Sequence, residues 1–179
     1  MAIVITEYDP NWKNQFEEIR NRIWPSISIH SLSVEHVGST SVEGLAAKPI
    51  IDIDIIYEGT ERLKPIIEAL AVLGYEHRGN LGIEGREAFK CLSPSCLHNL
   101  YVCSNGSTAL KNYLFLREQL RRHSADRERY SQLKLSLAQK FSDDIDSYVD
   151  GKTEFILEIL SRYDFDQNAL NAIEKANRK

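Results

Sequence analysis

Near the start of the chain, Trp12, Phe16, Ile19 and Ile23 recur at helical spacing and form one apolar stripe. Asp9-Pro10 ahead of them is a helix opening, with aspartate as N-cap and proline where its missing N–H does no harm. A residue before proline disfavours helical geometry, so this helix is predicted to end near Trp24-Pro25. The period then changes. Val34 to Val37 reads as a short strand running into Gly38-Ser39-Thr40-Ser41. A segment punctuated by Gly44 and closed by Lys48-Pro49 leads to the most regular strand, Ile50 to Tyr57. Side chains alternate along a strand, so Ile51, Ile53 and Ile55 point one way and Asp52 and Asp54 the other.

Arg62 to Leu73 is an amphipathic helix with Gly74 as its stop and Pro65 tolerable only near the first turn. Tyr75 to His77 begins a strand, and a loop with Gly79, Gly82 and Gly85 follows. Arg86 to Leu92 and Leu97 to Cys103 read as two strands turned by Ser93-Pro94-Ser95. From Thr108 the pattern is helical: Leu110, Leu114, Arg117 and Arg121 share one face, Tyr130, Leu133, Leu137 and Phe141 stripe a second helix, and Tyr148, Phe155, Ile159 and Tyr163 a third. The polar stretch from Asp164 to Lys179 is expected to fray. The predicted fold is a single α/β (α+β) domain over residues 1–179, with a mixed sheet and flanking helices in 1–107 and a helical part in 108–179.

Composition narrows the class. Hydrophobic residues make up 42% and charged residues 27%, enough apolar matter for a real core. No stretch approaches the roughly 20 apolar residues that span a bilayer. The first residues lack the form of an export signal, so the expected address is the cytoplasm. A net charge of −4 carries no general sign of nucleic-acid binding. Cys91, Cys96 and Cys103 are odd in number, which argues against a disulfide framework, and with His98 they make only an irregular zinc set. They are read as buried thiols.

Two features carry chemistry. Asp52 and Asp54 stand on a strand otherwise made of isoleucine, about 7 Å apart at the backbone, so both carboxylates can converge on one cation. Like charges beside apolar residues repel and are costly to desolvate, a cost that a divalent ion removes; oxygen ligands suit Mg2+ or Mn2+. Upstream, Gly38-Ser39 lies at a turn where glycine admits close backbone approach and free N–H groups suit a phosphate. An apolar residue, Gly-Ser, twelve residues, then Asp-Ile-Asp-Ile is similar to the signature of the nucleotidyltransferase superfamily.

The resemblance is also narrower. His36-Val37-Gly38-Ser39-Thr40-Ser41-Val42 with Gly44 to Ile53 looks like the defining block of the GrpB family. His98 to Cys103 resembles its second block, and Leu114 to Arg121 with Tyr130 and Leu133-Lys134 its third. It implies a nucleotidyltransferase-like fold, with the turn holding a triphosphate and the aspartates holding metal; related domains occur fused to dephospho-coenzyme A kinase. Glu43 stands where the family commonly has proline, and Leu116, Glu118 and Ser124 replace the usual phenylalanine, aspartate and proline. Many active nucleotidyltransferases carry a third carboxylate on a later strand, where this chain offers His98, Asn99 and Tyr101.

The expected function is metal-dependent transfer of a nucleotidyl group from a nucleoside triphosphate to an unknown acceptor, with Asp52 and Asp54 as catalytic metal ligands. Gly38, Ser39, Thr40, Lys48 and Arg86 are the phosphate and nucleotide candidates, with His98, Tyr101, Arg117 and Arg121 as additional ones. Tyr130 and Lys134, one turn apart, are read as packing and an ion pair. The alternative is a catalytically inactive nucleotide- or anion-binding regulatory module.

Overall fold

A computed structural model describes residues 2–94 and 96–178. The elements are α1 (Asn11–Ile27), β1 (Ser33–Val37), β2 (Ile51–Tyr57), α2 (Leu63–Val72), β3 (Tyr75–His77), β4 (Arg86–Cys91), β5 (His98–Ser104) and five helices. The helices are α3 (Thr108–Arg122), α4 (Ser124–Lys140), α5 (Ile145–Asp150), α6 (Thr153–Leu160) and α7 (Gln167–Asn177). The strands form one mixed sheet in the order β1-β2-β5-β4-β3, and only β2 and β5 run parallel.

The alternation along β2 decides the layering. Ile51, Ile53 and Ile55 are almost fully buried and share one core with Trp12, Phe16, Ile23, Ile66 and Leu70 of α1 and α2. Leu100 and Val102 of β5, paired with Ile53 and Ile55, extend that core. The opposite face carries Asp52, Asp54 and Ile56, and there α3 packs Leu110 and Leu114 against Ile56, Cys103 and Tyr101. The turn between β1 and β2 contributes Val42 and Leu45 to a second core with Leu120, Tyr130, Phe155 and Ile159. The aspartate face thus looks toward the helices that follow β5.

Several predicted boundaries move for local reasons. Pro10, not Asp9, stands at the N-cap of α1, and the Asp9 carboxylate just ahead of it accepts the Asn11 N–H at 2.8 Å. The helix nevertheless runs through Pro25 to Ile27, and Ser28 N–H reaches Trp24 O at 2.9 Å. A proline in the last turn costs one intrahelical bond, and the burial of Ile23 and Ile27 outweighs it. The predicted third C-terminal helix is two, α5 and α6, broken at Gly151, where a Cβ would meet Leu137 Cδ2 at 2.5 Å. The polar end is not frayed: Asp166 caps α7 through the Ala169 N–H at 2.8 Å, and Ile173 is buried. Among the described residues no helix is long and apolar enough to cross a membrane.

Two of the three cysteines are not buried thiols. Cys91 and Cys96 are half-buried and joined by a disulfide; only Cys103 is a buried free thiol. The odd count concealed a local pair flanking the turn between β4 and β5.

Candidate active site

β2 sits between β1 and β5, so each aspartate gains neighbours from both sides. Val37 and Asn99 flank Asp52, and Glu35 and Tyr101 flank Asp54. Asn99 donates to Asp52 Oδ1 at 2.8 Å. Gly38 closes the other side of Asp52. Its φ of 69° and ψ of −173° lie in a region open essentially to glycine, and a Cβ there would stand 2.2 Å from Asp52 Oδ2. The turn and the acid pair are therefore one structure, joined by a contact that leaves no room for a methyl group.

The pair does not open evenly to solvent. Asp52 is half-buried, whereas Asp54 is fully buried, and neither of its carboxylate oxygens has a hydrogen-bond partner among the described residues. Burial pushes Asp54 up to about 8, with the Asp52 charge adding to the effect and Arg86 and Arg117 opposing it. Burial also raises Asp52, against the Asn99 bond and the charges of Lys152, Lys134 and Lys48.

Cations surround the turn on the other side. Lys134 of α4 is 2% exposed and donates to Ser39 Oγ at 2.9 Å and to the Ala46 carbonyl, with its ammonium 4.7 Å from the Tyr130 ring centroid. Burial and the neighbouring Lys152 lower Lys134 to about 7, while Asp52 holds it up. Lys152 is itself lowered to about 8 by burial, with its ammonium 4.4 Å from the Tyr148 ring centroid. Acids that burial holds toward their neutral form thus stand near lysines that burial also holds toward theirs.

The other candidates divide. Lys48 is half-buried and acts electrostatically on Asp52. Arg86 is buried; it donates to Tyr113 Oη at 2.8 Å, and its guanidinium lies 4.5 Å from the Tyr101 ring centroid. It acts as a counter-charge for Asp54 rather than reaching an open phosphate cleft. Tyr101 shares the aspartate face. The Thr40 hydroxyl is turned inward, 3.0 Å from His36 Nε2 and within reach of the Ile50 carbonyl, so it braces the turn. His98 pairs with Ile51 in the sheet, which puts it on the α1 side, where it meets Tyr75 Oη at 2.8 Å. Burial, then Arg22, lowers its pKa to about 4. Arg117 donates to Glu35 at 3.0 Å and to the His36 carbonyl at 2.8 Å, and Arg121 to the Ser41 carbonyl at 2.8 Å. Both arginines dock α3 onto β1 and the turn.

Two residues, Glu35 and Lys152, escape the sequence reading, and a third, Lys134, has a different role in it. Glu35 is a third carboxylate beside Asp54, supplied by β1 instead of a later strand. Lys134 of α4 and Lys152, between α5 and α6, lie far along the chain; the shared face of Lys134 and Tyr130 is legible from spacing, the bond to Ser39 is not. A cavity of about 690 Å³ on the other side of the turn is lined by Phe16, His36, Arg121 and Arg127, but not by either aspartate.

The protonation of Asp54 has a measurable consequence. Without metal, the folded state holds this proton to about pH 8, while the unfolded chain releases it near 4. Between those values the unfolded state binds fewer protons, so this group's stabilisation falls as pH rises, by at most about 1.4 kcal/mol per unit. Asp54→Asn removes that loss. In metal-free buffer its melting temperature should gain on wild type by several degrees between pH 5 and pH 8, read by differential scanning fluorimetry; a constant difference would contradict the buried neutral acid.

This arrangement of strands, turn and paired acids defines a nucleotidyltransferase-type fold. The Cid1 poly(U) polymerase bound to MgGTP shares it at a TM-score of 0.50 and 16% identity, over 76% of this chain and 45% of that one. At that identity the likeness concerns the fold alone. The chain belongs to the GrpB protein family, which matches residues 2–162. The crystal structure of conserved protein GrpB from Enterococcus faecalis is 34% identical with a TM-score of 0.79, covering 96% of this chain and 98% of that one. YqkA of Bacillus subtilis is 32% identical over 154 residues, and the match spans 86% of this chain but only 45% of that relative.

Proposed function

We propose that the chain is a metal-dependent nucleotidyltransferase, moving a nucleotidyl group from a nucleoside triphosphate to an acceptor. The observation that carries this reading is Asp54: a fully buried carboxylate with two unpartnered oxygens, beside Asp52 and a glycine that admits no side chain. Such a group is costly unless a cation completes it. Asp52 and Asp54 would hold Mg2+ or Mn2+, with Glu35 adjacent. The ion when bound neutralises charge on the transferring phosphoryl group. The chain's own residues do the rest. Gly38 lets the backbone approach the phosphates, Ser39 and Lys134 bind their oxygens, Lys48 and Lys152 add positive charge, and Asn99 orients Asp52.

A second reading, a binding module without turnover, is favoured by one observation: β5 places Asn99 and Tyr101, not a carboxylate, beside the pair. Incubating the purified chain with each of the four nucleoside triphosphates, Mg2+ or Mn2+, and a small-molecule extract as acceptor source separates the two. Pyrophosphate release is expected with at least one triphosphate, reduced on the order of 100-fold or more in Asp52→Asn. Calorimetric affinity without any release would establish the second reading, and neither would defeat both.

A further inference from the structure

On the opposite face of the sheet from the aspartates, three donor side chains meet. Cys91 closes β4, His98 opens β5, and Cys96 lies in the turn between these paired strands. The Cα atoms of the bonded cysteines are 6.1 Å apart. One donor atom from each of Cys91, Cys96 and His98 lies within 4.8 Å of the other two. Behind them stands a fixed outer layer. Tyr75 of β3, opposite Cys91 in the sheet, meets His98 Nε2 at 2.8 Å and accepts a bond from Arg22 at 2.8 Å. The tautomer that donates Nε2–H to Tyr75 Oη leaves the Nδ1 lone pair free as a ligand. All three side chains are half-buried, and Leu92 and Leu97 beside them are exposed, so solvent reaches the site.

A disulfide needs only the two sulfurs. It gives no reason for an imidazole held against them by a tyrosine that is itself held by an arginine. That outer arrangement is what a metal-ligating histidine requires, since a bond to one ring nitrogen fixes how the other is aimed. Thiolate and imidazole together suit Zn2+ in tetrahedral geometry.

We propose that the reduced Cys91 and Cys96, with His98, bind one Zn2+ in a three-ligand site whose fourth position is open to water, and that the Cys91–Cys96 disulfide is its oxidised, metal-free form. Two equivalents of a thiol reduce the disulfide and leave as their own disulfide, each protein sulfur gaining a proton and the pair two electrons. Zn2+ then displaces one proton from each thiol to solvent. The site shares no residue with the aspartate face, so it stands or falls apart from the nucleotidyltransferase reading.

The test uses the full chain, reduced with a phosphine, desalted without oxygen and titrated with Co2+ as a spectroscopic stand-in for Zn2+. Thiolate-to-Co2+ charge-transfer absorption should saturate at one equivalent per chain and be bleached by Zn2+, and the oxidised chain should show none. Cys96→Ser should abolish the band. His98→Gln should weaken binding about 100-fold, and Tyr75→Phe, which keeps the ring packing and removes only the orienting hydroxyl, about 10-fold. Cys103→Ser and the Asp52→Asn, Asp54→Asn double variant should bind as wild type does. Absence of the band in the reduced wild type would overturn the proposal, as would its loss in Cys103→Ser or full affinity in both His98→Gln and Tyr75→Phe.

Discussion

In Mg2+ or Mn2+ at a hundredfold excess over its dissociation constant, the wild-type chain should melt roughly 5–10 °C higher than in chelator. An ion that binds only the native state at that excess stabilises it by about 2.7 kcal/mol. For a chain of this size each kcal/mol shifts the midpoint by about 2–4 °C. The Asp52→Asn, Asp54→Asn double variant should lose the whole shift. In chelator at pH 8 it should melt above wild type, because it no longer places two ionisable acids together in a site where burial pushes both upward. Equal metal-induced shifts in the two proteins would place the ion elsewhere. Since thiolate and imidazole ligands favour softer metals than Mg2+, Mg2+ is the discriminating choice.

Gly38→Ala should be nearly as damaging as Gly38→Val, because the first carbon of any side chain does the harm. At Gly38 the backbone conformation is closed to other residues at a cost of order 1–3 kcal/mol, and the added Cβ would stand 2.2 Å from Asp52 Oδ2. Either Asp52 swings away from Asn99 and Asp54 or the turn shifts and carries Ser39 off Lys134. The expected result is a melting temperature lower by roughly 3–10 °C, no metal-induced shift, and triphosphate affinity weakened on the order of 100-fold by calorimetry, a loss equivalent to about 2.7 kcal/mol. Ser39→Ala is the contrasting variant: it removes one hydroxyl without touching Asp52, and it should keep the metal shift while weakening triphosphate binding less. A Gly38→Ala chain with wild-type metal response would mean that the turn does not bear on the acid pair.

What could be read from the chain alone was what depends on near neighbours in sequence. The two faces of β2 follow from a period of two, and the pairing of the Gly38 turn with the acids follows from a signature that runs only from Gly38 to Asp54. Glu35 was invisible because its meeting with Asp54 is set by the antiparallel register of β1 on β2, which one-residue slippage would reverse. The spacing of Tyr130 and Lys134 predicts packing and an ion pair, whereas in the structure Lys134 sets its ammonium over the Tyr130 ring. Its bond to Ser39 spans 95 positions and no periodicity announces it. The C-terminal helix was lost for the opposite reason: polar residues around Leu170 and Ile173 obscured a stripe that needs only one side to pack. The helix end at Pro25 failed because a local steric preference was weighed without the burial that opposes it.

The parallel pairing of β2 with β5 also governs when the site can exist. The hairpin-like partner β1 is close in sequence, but β5 lies beyond α2, β3 and β4, so a long loop must close before Asn99 reaches Asp52, and a longer one before Lys134 reaches Ser39. Closing a longer loop costs more entropy, and a high share of distant contacts goes with slower folding. During synthesis, a nascent chain that has emerged only through Tyr57 already bears the glycine turn and both aspartates, yet has none of their distant partners. The turn and the acids are thus complete in sequence well before Asn99 and Lys134, the residues that hold them in place, have been made.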